Sequence, residues 1–270
     1  MELFLSDDFA VVLGLKKSDY PDRNLPEGKE MERFRKLKLF LIRNGQETEE
    51  QKDVIWSRFC AMYLPATVDR LLNLPVPTDA RGAHEQEMAQ PADFAVYNPW
   101  HEMLVQVQHV PYFDKYLRST KAIAANSQGL AQVLADRIVA VGGRWDAKMR
   151  AAATSKEERE YYKAAAGSAV QLLSTLCTHY INEKDRSRVV SSETQIQLGK
   201  ILVMWGKRYE GEFLSDVSLR MLAFMAGPMD KAFNQLRRVY KNWEVCGQGG
   251  CQVRRDLKVC ARCQTVRYVS

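Results

Sequence analysis

Apolar positions recur along most of this 270-residue chain at the three-to-four-residue spacing of helices. Residues 31–44, MERFRKLKLFLIRN, place Met31, Phe34, Leu37, Leu41 and Ile42 along one stripe, with Gly45 positioned to end the run. A second helical stretch is expected over 51–74, carrying Val54, Ile55, Phe59, Met62, Tyr63, Val68, Leu71 and Leu72, kinked or divided at Pro65. The segment 74–93, LPVPTDARGAHEQEMAQPAD, is rich in Pro, Gly and polar residues and is expected to be a long exposed connection.

Helical periodicity resumes at Pro99. Residues 99–118 read as one segment broken near Pro111, and 129–141, GLAQVLADRIVAV, as a cleaner helix stopped by Gly142-Gly143. The segment 157–183 is the most strongly amphipathic, with Thr154 or Ser155 available as its N-cap and acidic residues in its first turn. Two more helices are expected over 193–209 and 213–241, the last bent or split at Gly227-Pro228. Alternating β-branched runs are scarce. The expected class is therefore all-α: a helical domain over 1–240, arranged as a bundle or a short armadillo-like stack. No repeat is visible residue by residue. The helical pairs 129–183 and 193–241 have only the spacing of units of about 40 residues.

Composition adds little to this picture: 46% apolar and 27% charged residues suit an ordinary globular protein. No run of 18 apolar residues occurs, so no membrane-spanning helix is expected. The apolar patch at the start lacks a basic leader and is interrupted by Asp7 and Asp8, a poor secretory signal. The expected location is intracellular, nucleus or cytoplasm unresolved, where clustered thiols more often hold metal than form disulfides. Charge changes the picture more. Residues 231–270 carry nine Lys/Arg against Glu244 and Asp256, so this tail is +7 while residues 1–230 sum to −1. Such a tail attracts phosphate or acidic partners, although a small cysteine module also exposes most of its charges simply for want of a core.

The helical body offers no catalytic constellation. His101-Glu102 lacks the second histidine of a zinc-protease helix, and His84, His101, His109 and His179 read as surface or capping residues. Cys60 and Cys177 lie among apolar neighbours and read as small buried hydrophobes. Gly142-Gly143 fits neither a phosphate loop nor a dinucleotide fingerprint. Glu157, Glu158 and Glu160 are accounted for by an acidic first helical turn. The five tryptophans, Trp56, Trp100, Trp145, Trp205 and Trp243, are expected as packing anchors.

The candidate chemistry lies at the end of the chain, in CGQGGCQVRRDLKVCARCQTVRYVS. Its spacings are Cys246-x4-Cys251, eight residues, then Cys260-x2-Cys263. Two close pairs of thiolates suit a tetrahedral Zn2+, sulfur favouring zinc over calcium or magnesium. Gly247, Gly249 and Gly250 supply the tight turns that return a second sulfur to the same ion.

The run CGQGGCQVRRDLKVCARCQTVRY resembles the opening half of a MYND-type zinc finger, as found after a helical region in many fungal proteins. The family has eight ligands in two interleaved sites. By resemblance, Cys246 and Cys251 form the first pair, Cys260 and Cys263 the second, and Arg267-Tyr268 precede the fifth ligand. Position 269 is valine, so 243–270 reads as a partial finger in which neither family site closes. Two-ligand zinc sites are too weak to hold a small fold, so the four cysteines are expected to share one ion or the tail to remain unfolded. Val-Ser can be encoded by GTGAGT or GTAAGT, the usual start of a eukaryotic intron. Residues 269–270 are therefore expected to be read-through, with cysteine resuming at 269 in the spliced product.

The resemblance implies protein binding, typically of short proline-containing peptides. The expectation is a non-enzymatic zinc-binding adaptor or scaffold with protein partners. The alternatives are nucleic-acid or chromatin association through Arg254, Arg255 and Lys258, and an enzyme of unknown class in the helical body.

Overall fold

A computed structural model of the chain describes residues 5–117, 119, 129–180 and 189–225, together with the backbone of 258–259 and 267–268. Eleven α-helices run through the described residues: α1 Ser6–Val12, α2 Glu30–Asn44, α3 Glu49–Leu72, α4 Gly82–Met88, α5 Pro91–Val96, α6 Pro99–Val107, α7 Pro111–Leu117, α8 Leu130–Arg150, α9 Lys156–Tyr180, α10 Ser192–Arg208 and α11 Phe213–Met225. The all-α expectation holds for the body. The only strands described are two-residue β1 Lys258–Val259 and β2 Arg267–Tyr268, paired antiparallel with Lys258 opposite Tyr268 and Val259 opposite Arg267.

Local chemistry sets the helix starts. Thr48 and Gln51 form a reciprocal capping box at α3. Asn98 Oδ1 accepts from His101 N at α6, with Pro99 at the first helical position, and Ser191 caps α10 through Thr194 N. Ser155, one of the two expected caps, accepts from Glu158 N at α9. Helix α2 is capped from a distance: Asp79, 47–48 residues on, accepts from Met31 N at 3.0 Å and Glu32 N at 2.8 Å.

The C-terminal helices form two stacked hairpins. α8 packs on α9 and α10 on α11, while α8 also lies against α10 and α9 against α11. In the N-terminal half α3 is the central helix, touching α1, α6 and α7; α6 then meets α9, and α5 meets α8. One continuous apolar core runs from Phe9 to Met221, so both halves belong to one packed unit. Trp56, Trp100, Trp145 and Trp205 are all buried in it, as expected of packing anchors.

Three expectations are corrected. Segment 74–93 is not a long exposed connection: it carries α4 and the start of α5, with Met88 and Asp93 buried. Its polar residues are cross-links rather than solvent-facing filler, Glu85 to Arg35 at 2.5 Å and Glu87 to Lys148 at 2.7 Å. Gly142-Gly143 does not stop α8, which continues to Arg150 because Leu134, Ile138, Val141, Trp145 and Met149 bury one continuous face. That burial outweighs a propensity cost of about 1 kcal/mol per glycine. Pro65 does not divide α3 either. It lies on the exposed face, where the carbonyl it deprives of a partner can turn to water. The break at Pro111 and the end of α2 before Gly45 match expectation, and Gly227-Pro228 lie outside the described residues.

Polar residues hold the irregular N-terminal half together. Arg33, only 5% exposed, donates to the carbonyls of Val12 at 3.1 Å, Leu25 at 2.5 Å and Pro26 at 3.2 Å. Arg137 donates to the carbonyls of Leu71, Leu72 and Ala95, satisfying groups at the ends of α3 and α5. Trp100 Nε1 reaches Leu13 O at 3.2 Å, tying α6 to the end of α1.

Candidate functional site

Two places in the chain are candidates for functional chemistry. The first is the cysteine tail. Cys246, Cys251, Cys260 and Cys263 lie outside the described residues. What is described is the backbone on either side of the second pair, where β1 ends just before Cys260 and β2 begins four residues after Cys263. Four thiols are a donor set suited to Zn2+. Among the described residues, no group of three or more His, Cys, Asp or Glu side chains is placed to hold a metal. Cys60 and Cys177 are buried free thiols, and burial pushes the Cys177 thiol up to about 12 and that of Cys60 higher still. Neither is a nucleophile at neutral pH.

The second is a pocket of about 400 Å3 between α2, α4 and α9. Met31, Phe34, Leu39 and Met88 give it apolar walls, Tyr161 and His84 add ring surfaces, and Arg35, Lys38 and Glu85 supply charge. Helical spacing explains the α2 contribution, because Phe34 and Lys38 are one turn apart and Met31 and Arg35 another. His84 packs edge-on against Tyr161 with ring centroids 4.6 Å apart. Its Nδ1 is buried without a hydrogen-bond partner, 4.0 Å from Glu158 Oε1.

Behind Lys38 lies a buried polar cluster from α6 and the turn before it. Lys38 Nζ donates to Tyr97 OH at 2.6 Å and pairs with Glu102 Oε1 at 2.9 Å. It also sits 5.0 Å above the Tyr97 ring and 5.3 Å from that of Phe34. Glu102 is 7% exposed, and its other oxygen, Oε2, has no hydrogen-bond partner. Burial, followed by the Glu102 carboxylate, pushes the hydroxyls of Tyr97 and Tyr161 far above the ordinary phenol range. Both hydroxyls stay protonated, so neither is a base.

His101 corrects an expectation. Far from being a surface residue, it is fully buried, with neither ring nitrogen hydrogen-bonded, beside Tyr97 at a centroid distance of 5.8 Å. Burial, and secondarily the Lys38 ammonium, hold it down at about 3, so it is neutral. His109 is exposed, in keeping with expectation, and the side chain of His179 lies outside the described residues.

Sequence reasoning missed the pocket because its residues come from three distant segments, one of them, α4, only seven residues long. The one local signal was Lys38 itself, set on the row that Phe34 begins inside an apolar stripe. No helix among the described residues is long and apolar enough to cross a membrane. No protein-family model, curated protein or solved structure matches the chain.

Proposed function

We propose that this protein is a zinc-binding adaptor, a helical scaffold whose C-terminal cysteine module holds protein partners, typically proline-containing peptides, rather than turning over a substrate. The observation that carries the reading is the concentration of four cysteines, as two close pairs, within residues 246–263. The antiparallel pairing of 258–259 with 267–268 supports it, since a short hairpin is a common frame for a Cys-x-x-Cys pair. Cys246, Cys251, Cys260 and Cys263 would ligate one Zn2+, which would supply the folding energy of a segment too short to bury a core of its own. The likeness to a MYND-type finger belongs to this proposal, as does the use of the +7 tail to steer partners with acidic flanks.

Metal analysis of the full chain, purified under reducing conditions with zinc supplied, tests the reading. One zinc per chain is expected, lost in Cys260→Ser and in Cys263→Ser. A metal-free protein overturns it. A pull-down with and without residues 242–270 then tests the adaptor role, and an unchanged set of partners counts against it. Binding to an arbitrary DNA duplex that collapses with salt and depends on Arg254, Arg255 and Lys258 would favour a nucleic-acid function instead.

A further inference from the structure

The pocket between α2, α4 and α9 has no part in the zinc-binding reading. Its volume of about 400 Å3 falls within the range of about 300–1,000 Å3 usual for small-molecule sites. The walls are apolar and aromatic, with few polar groups, which is the composition of such sites rather than of a water-filled groove. The question is what kind of molecule its polar groups select.

The two cations are already balanced. Lys38 is paired with Glu102 at 2.9 Å, and Arg35 with Glu85 at 2.5 Å and Asp79 at 3.9 Å. The site therefore presents hydrogen-bond donors without an excess of positive charge. An ammonium carries three protons, and two at Lys38 are engaged by Tyr97 OH and Glu102. The third is left for a guest, Lys38 being part of the pocket lining with its side chain 39% exposed. A guest carboxylate on that proton would also face Glu102, which already shares the same ammonium at 2.9 Å. In so apolar a setting that repulsion is poorly screened. A carbonyl accepts the same proton without this penalty.

We infer that this pocket is a binding site for a small, uncharged, mainly apolar molecule, aromatic or branched, that presents one carbonyl-type acceptor to Lys38 Nζ. Phe34, Tyr161 and His84 supply faces and edges for an aromatic body. Met31 and Met88 supply side chains that adapt to its outline.

A matched pair of probes tests this: 2-acetylnaphthalene, a neutral ketone, and 2-naphthoate, of similar size and shape with a carboxylate. Titration calorimetry on the full chain at pH 7.5 should show saturable binding of one ketone per chain. The carboxylate should bind at least about tenfold more weakly. The double variant Lys38→Met/Glu102→Gln removes the donor without leaving a buried charge unpaired, and should weaken the ketone about tenfold. Leu39 is 57% exposed at the rim, so Leu39→Trp disturbs no core contact and should abolish binding by filling the mouth. Absence of ketone binding, equal affinity for the two probes, or undiminished affinity in Leu39→Trp would each overturn the assignment. The zinc content is expected to be the same in all of these variants, so failure of one reading is distinguishable from failure of the other.

Discussion

The two halves of the helical body are stabilised in different ways. The C-terminal half, α8–α11, is built from helices of 13–25 residues whose faces are apolar for most of their length. Small residues let these helices approach: Ala165, Ala166 and Ala169 are buried on α9, and Gly142 on α8 lies against Ile201 of α10. The N-terminal half has only two long helices, and short ones fill the remaining space. There, Arg33, Asp79 and Arg137, the last reaching across from α8, take up backbone groups at the end of α1, the start of α2 and the ends of α3 and α5. Every helix leaves four donors and four acceptors at its ends whatever its length, so a half divided into many short helices has more ends for side chains to finish.

Substitutions should separate the two strategies. The largest effect is expected from Trp205→Ala in the C-terminal half, where a fully buried ring is lost from the hairpin stack. It should cost about 3–5 kcal/mol in urea unfolding. Arg33→Ala should cost about 3 kcal/mol, because three carbonyls lose a charged donor in a place water reaches poorly. If the N-terminal half were held by packing alone, Arg33→Met, which keeps the bulk, would restore most of that loss; it is expected not to.

Acid should act through His101. Its folded pKa of about 3 lies below the ordinary value of 6.5, so the unfolded chain takes up the proton first. This contribution to stability is fully present above pH 6.5 and declines as pH falls, reaching a loss of about 2 kcal/mol at pH 5. His101→Leu removes two unpaired buried nitrogens and should flatten that part of the pH profile while leaving stability at pH 7.5 within about 1 kcal/mol. An equally steep profile in the variant would show that other groups carry the acid sensitivity.

The smallest effects come from paired glycines in the hairpin stack. A Cβ at Gly206 would meet Leu219 Cδ2, the mobile end of a half-exposed side chain, whereas one at Gly142 would meet Cγ2 and Cδ1 of Ile201. Gly206→Ala should fall within about 0.5 kcal/mol of the parent or gain slightly from helix propensity. Gly142→Ala should be destabilising by about 1 kcal/mol, the branched Ile201 being harder to displace.

The same contrast explains how much of the protein could be read from its sequence. Helices α2, α3 and α8–α11 carry long periodic stripes, and their existence and starts were legible in the sequence, as were the Pro111 break and the Ser155 cap, although the end of α8 and the continuity of α3 through Pro65 were not. α1 and α4 are seven residues long, too short to display a helical period, and α4 sits in a Pro- and Gly-containing stretch that resembles a connection. The pocket followed α4 out of view, because His84, Glu85 and Met88 acquire meaning only once α2 and α9 are beside them.

Sequence by itself determined the helical class, the local caps of α3, α9 and α10, the burial of four tryptophans and two cysteines, and the arrangement of thiols that motivates a zinc site. Each follows from residues close in the chain or from plain hydrophobicity. Tertiary structure alone decided that Gly142-Gly143 stays helical, that His101 is buried and neutral, and that Lys38 meets Tyr97 and Glu102 at the back of an apolar pocket. Those outcomes turn on burial and on partners about 60 residues away, and local spacing encodes neither.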